Sequence, residues 1–64
     1  MDQSPAEKVL SVMPQGRAME LLNICALSGF SQDFTLKILQ SQEAMGKVRR
    51  IQPDEKTEPF WMRI

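Results

Sequence analysis

The side chains able to do chemistry are few in these 64 residues. Eight Lys and Arg stand against eight Asp and Glu, with one cysteine, no tyrosine and no histidine. Without histidine the commonest general base, metal ligand and triad partner is missing. One cysteine permits no internal disulfide and no cysteine-based zinc site. Cys25 lies among leucine, isoleucine and alanine, where it reads as a small apolar residue. The carboxylates are scattered: Asp54-Glu55 occupies turn-like sequence and Glu20 stands alone, with no glycine-rich phosphate loop beside them. The expectation is therefore a chain that is not an enzyme and needs no cofactor or metal.

Binding is the chemistry that remains. The formal charge is zero, but it is unevenly spread. Residues 1–45 carry three basic and five acidic side chains, whereas residues 46–64 carry five basic ones (Lys47, Arg49, Arg50, Lys56 and Arg63) against three acidic. Phosphate contacts draw on Lys and Arg because released counter-ions supply much of the affinity. Only the C-terminal third has cations to spare.

The elements that must position these groups follow from local signals. Ser4-Pro5-Ala6-Glu7 has a hydroxyl for the cap, proline for the first helical position and a carboxylate three residues after the cap. It predicts a helix over 5–13, ended by Pro14 and Gly16. Met19, Leu21, Leu22, Ile24, Cys25 and Ala26 form an apolar stripe that predicts a second helix over 18–27, with Gly29 as its left-handed terminus. Ser31 caps a third helix over 32–45, which Gly46 closes. Residues 47–52 then read as a strand, although Val48 and Ile51 break a clean period of two, which a bulge or a late start would reconcile. Pro53-Asp54-Glu55-Lys56 is turn chemistry. Residues 59–64 alternate, with Phe60, Met62 and Ile64 on one face and Trp61 and Arg63 on the other. The expected fold is α+β, three helices followed by a C-terminal β-hairpin, as one domain over 1–64. A domain of this size buries only about 60% of its unfolded surface, leaving little interior for a substrate pocket.

This organisation resembles the winged helix-turn-helix superfamily over nearly the whole chain. Its usual pattern is Gly-Leu-Ser, a helix with Ile-Leu in the middle, then Glu-x-x-Gly and an apolar residue. Gly29, Ser31, Ile38, Leu39, Glu43, Gly46 and Val48 keep those places, while Gln42 stands where leucine is usual. Thr57-Glu58-Pro59-Phe60-Trp61 is also similar to the Thr-Pro-Pro-x-Trp wing of Zα domains, which bind left-handed DNA or RNA. Pro59 and Trp61 match that motif and Glu58 replaces its first proline. In an ungapped alignment Asp33, Leu36 and Gln40 replace that family's lysine, asparagine and tyrosine, and Lys37 keeps a basic site. The hairpin is also about three residues longer than in that family.

The superfamily resemblance implies that helix three enters the groove of double-stranded DNA and that the hairpin wing meets the backbone. The residues it implicates are Gln32, Leu36, Lys37 and Gln40 on the helix, and Lys47, Arg49, Arg50, Lys56 and Trp61 on the wing. Some of these residues have a plainer reading. Arg49 and Arg50 also suit a solvated sheet edge, Trp61 suits a core cap over helix one, and Met13, Met19, Met45 and Met62 suit gap-filling in the core or an adaptable contact surface. The competing expectation is a protein-interaction module of a larger complex, meeting its partner through Phe34, Leu36 and Gln42. Phe34 could instead fold back on helix two. No apolar run approaches the ~20 residues that cross a bilayer, and the acidic and polar start is unlike a secretory signal. No membrane contact is expected, and the expected location is intracellular, cytoplasmic or nuclear.

Overall fold

A computed structural model describes residues 4–64; residues 1–3, which the single-domain reading and the charge count through Asp2 include, lie outside them. The elements run α1 (Pro5–Ser11), β1 (Ala18–Glu20), α2 (Leu21–Ser28), α3 (Gln32–Ala44), β2 (Val48–Ile51) and β3 (Phe60–Arg63). The fold is α+β, three helices against a three-stranded antiparallel sheet of order β1-β3-β2, the layout of a winged helix.

The helix starts follow their caps. Ser4 Oγ accepts from the Glu7 N–H at 3.2 Å, and Ser31 Oγ accepts from the Phe34 N–H at 3.2 Å. Each satisfies a donor that has no partner inside its helix. α1 stops two residues before the expected end. The Val12 and Met13 N–H groups turn back to Val9 and Leu10 carbonyls, three residues away, and this tighter turn delivers Met13 into the core. Gly29 ends α2 with φ 80°, and its N–H donates to the Cys25 carbonyl at 2.8 Å. No atom lies within 4 Å of a Cβ built there. Gly29→Ala therefore meets backbone strain and no clash, and should cost about 1–2 kcal/mol in a urea melt.

The expected helix over 18–27 needs correction at its start. Ala18, Met19 and Glu20 form a strand against Met62, Trp61 and Phe60, and the helix begins only at Leu21. The reason is tertiary: the turn at Gly16, whose N–H donates to the Arg63 carbonyl at 2.7 Å, lays these three residues beside β3. Their backbone groups then pair across the ladder instead of along a helix.

Register assigns the two faces of the sheet. Val48 lies opposite Arg63, and Met19 and Arg50 lie opposite Trp61 on either side of it. These side chains face the helices. Ala18 and Arg49 lie opposite Met62, Glu20 and Ile51 opposite Phe60, and they face outward. No bulge is needed, because Val48 and Ile51 serve different faces of a regular strand. The core is Val9 from α1, Met13 from the turn that follows it, Ile24 from α2, Leu39 from α3, Val48 from β2 and Trp61 from β3. Of the four methionines read as gap-fillers, only Met13 is buried; Met19 and Met62 are half-buried and Met45 is exposed. Arg63 ties the sheet to α1, its guanidinium donating to the Leu10 carbonyl at 3.2 Å.

Candidate nucleic-acid interface

α3 buries Thr35, Leu39 and Gln42. At 3.6 residues per turn, the opposite stripe is Asp33, Lys37, Gln40, Ser41 and Ala44, all exposed. One flank of this stripe meets the hairpin in an open cleft of about 290 Å³, walled by Leu21, Leu36 and Gln40 on the helix side and by Arg50, Gln52, Glu58, Pro59 and Trp61 on the strand side. The sheet positions Arg50 there because it shares Trp61's face. The guanidinium Nε stands 4.0 Å from Glu43 Oε2, with both side chains about half exposed, so solvent leaves this pair weak and exchangeable. Lys37 makes no ion pair among the described residues.

Several expected contacts gather here and several do not. Gln40 and Arg50 share the cleft, and exposed Lys37 lies one turn before Ser41 on the same stripe. Gln32 is exposed in the first turn of α3. Leu36 is half-buried and packs on the core, so only its cleft edge is open to a ligand. Lys47 is exposed in the turn after α3. Lys56 is at the hairpin tip, where its N–H donates to Asp54 Oδ1 at 3.1 Å. Arg49 points outward, away from α3, because neighbouring strand residues alternate between faces. The two arginines therefore do not form one basic patch.

Trp61 must be corrected as a contact residue. It is 1% exposed and the largest buried side chain, a core member whose cleft edge offers no aromatic surface for stacking. The protein-interaction set is divided too. Gln42 is 5% exposed, so no partner can reach it from outside. Phe34 and Leu36, two residues apart, fall on different flanks of the helix. Leu36 faces the cleft, whereas Phe34 sets its ring edge-on to Phe30 with centroids 5.1 Å apart and stays 42% exposed.

Comparison of the chain with protein-family profiles and with curated protein sequences finds no match to either.

The cleft has residues outside the expected contact set. Gln52 and Pro59 are brought to it only by hairpin closure, in which Gln52 Nε2 donates to the Thr57 carbonyl at 3.1 Å. The alternation of residues 48–52 was the available signal, since it puts Arg50 and Gln52 on one face. Among the described residues, no group of three His, Cys, Asp or Glu side chains could hold a metal ion, and no helix is long and apolar enough to cross a membrane. The amides and guanidinium of the cleft are hydrogen-bonding groups suited to recognition of a polar surface.

Proposed function

We propose that this chain is an intracellular, non-enzymatic domain that binds double-stranded DNA, with α3 presented to the major groove and the β2–β3 hairpin beside the backbone. The observation that carries this reading is that Gln40 of α3 and Arg50 of β2 wall one cleft, with Lys37 exposed on the adjoining stripe of α3. Glutamine amides can pair with adenine edges, and Lys37 and Arg50 can meet guanine or phosphate. The resemblance to winged helices supports the same docking, as an analogy of fold.

The test is a titration of labelled protein with a mixed-sequence duplex at low and then moderate salt, following backbone amide shifts. Shifts at residues 32–40 and 48–59 that fade with salt are expected. Lys37→Ala and Arg50→Ala should each weaken binding to all sequences and reduce the salt slope by about one. Arg49→Ala should leave both unchanged, because its side chain is on the far face of the sheet. A chain with no shifts at low salt does not bind DNA. The protein-interaction reading would then stand on the exposed Phe34 beside Phe30.

A further inference from the structure

The outward face of the sheet is apolar at its centre and charged at two corners. Ile51, Phe60 and Met62 are half-buried, yet none belongs to the packing around the core, which occupies the other face. Ile64, just past β3, is 60% exposed. A two-sided sheet in water ordinarily places polar residues on its solvated face, and this central strand does not.

The charges at the corners have a specific arrangement. Glu20 extends the row Glu20–Phe60–Ile51, and Arg49 ends the next row, Ala18–Met62–Arg49. They stand at diagonal corners, on the two outer strands. Both are exposed, and neither forms an ion pair within the described chain. Asp54 and Glu58 of the hairpin line one hollow with Glu20 and Phe60, so the acid corner gathers three carboxylates diagonally across from the base Arg49, and acid over base makes the face complementary to itself.

We propose that this face binds a second copy of the chain. A two-fold axis lying in the interface, perpendicular to the Glu20–Arg49 diagonal, brings each Glu20 over Arg49 of the partner subunit. The two charge pairs then flank an apolar centre of Phe60 and Met62 from both copies. From a strand spacing of ~4.8 Å and a rise of ~3.3 Å per residue, this operation crosses the sheets at roughly 70°, toward the orthogonal class of sheet packing. The contact is isologous and closed, so it ends at a dimer and does not propagate. The face is small, roughly 14 by 13 Å, and well short of the ~800 Å² per partner of a standard interface. Association is consequently weak and concentration-dependent. α3 and its cleft lie on the opposite side of the sheet, so self-association is independent of nucleic acid and is measured without it.

The experiment is sedimentation equilibrium of the whole chain from about 10 µM to about 1 mM, a range suited to weak complexes. The weight-average mass should rise from 7.3 kDa toward twice that value. Glu20→Arg alone and Arg49→Glu alone should each move the midpoint to about tenfold higher concentration, because like charges then face each other. The double exchange Glu20→Arg with Arg49→Glu should restore part of the lost association, because Asp54 and Glu58 stay beside position 20. Met62→Asp should abolish the dimer while circular dichroism shows the fold retained. A mass that stays at 7.3 kDa over the whole range, a dimer that survives Met62→Asp, or a double exchange that restores none of the lost association would each overturn the proposal.

Discussion

Trp61→Ala should lower the free energy of unfolding by about 3–5 kcal/mol, as other large-to-small aromatic changes in cores do. Total stability for 64 residues is expected to be about 3–10 kcal/mol, so the variant should be largely or wholly unfolded in mild denaturant. The physical reason is position. Trp61 is in the central strand, 1% exposed, within the cluster to which α1, α2, α3 and β2 each contribute. Its loss leaves a cavity at the one point where all those layers meet. Far-UV circular dichroism against urea measures it. Trp61→Phe should be much milder, because it keeps the ring and also removes an indole N–H that has no partner among the described residues. A folded, stable alanine variant would show that the sheet is held to the helices from elsewhere.

The second large effect has the opposite sign. Gln42→Leu should raise stability by about 1–3 kcal/mol, equivalent to roughly 4–8 °C in Tm for each kcal/mol. Gln42 is 5% exposed, and its Oε1 accepts no hydrogen bond among the described residues. The amide oxygen gives up hydration on folding without recovering it from the described residues. Leucine is similar in volume and has no such requirement, and it is the residue that the winged-helix resemblance favours at this position. Thr35→Val, two turns earlier on the same face, should act in the same direction, since Thr35 Oγ1 is also buried with no partner among the described residues. Thermal melts of both variants decide the matter. A lowered melting temperature for Gln42→Leu would mean that the amide is satisfied inside the folded protein.

The legible parts of this fold were those governed by neighbours in sequence. Ser4-Pro5 and Ser31 announced two helix starts, because a capping hydroxyl acts within three residues. Gly29 and Gly46 announced two helix ends, because a positive φ excludes most side chains. The strand at Ala18–Glu20 was hidden. Alanine, methionine and glutamate are all good helix formers, and only a ladder with residues forty or more positions away makes them extended.

The candidate site was legible in composition and less so in arrangement. Gln40 and Arg50 wall one cleft, and Lys37 is exposed on the neighbouring stripe of α3. Arg49 was counted with Arg50 because the two are adjacent, although adjacency on a strand means opposite faces. Phe34 and Leu36 were grouped in the same way, although helical spacing separates them. Gln42 was misplaced for another reason: a polar side chain in the interior breaks the pattern by which interiors are recognised. Trp61 carried two readings, and burial decided between them.

The order of the strands also bears on how the molecule assembles. β3 is the last of the six elements in the chain but the middle one in the sheet. Until it arrives, β1 and β2 have no ladder to join, and the apolar sides of three helices have no tryptophan to close on. The Arg63–Leu10 bond spans 53 residues, so completing the core is an act of long-range loop closure in a chain otherwise rich in local helix contacts. The helices, at 7, 8 and 13 residues, are marginal on their own, so they too gain lasting stability only when β3 docks. Folding should be paced by that single late docking event, with stability appearing all at once and not element by element.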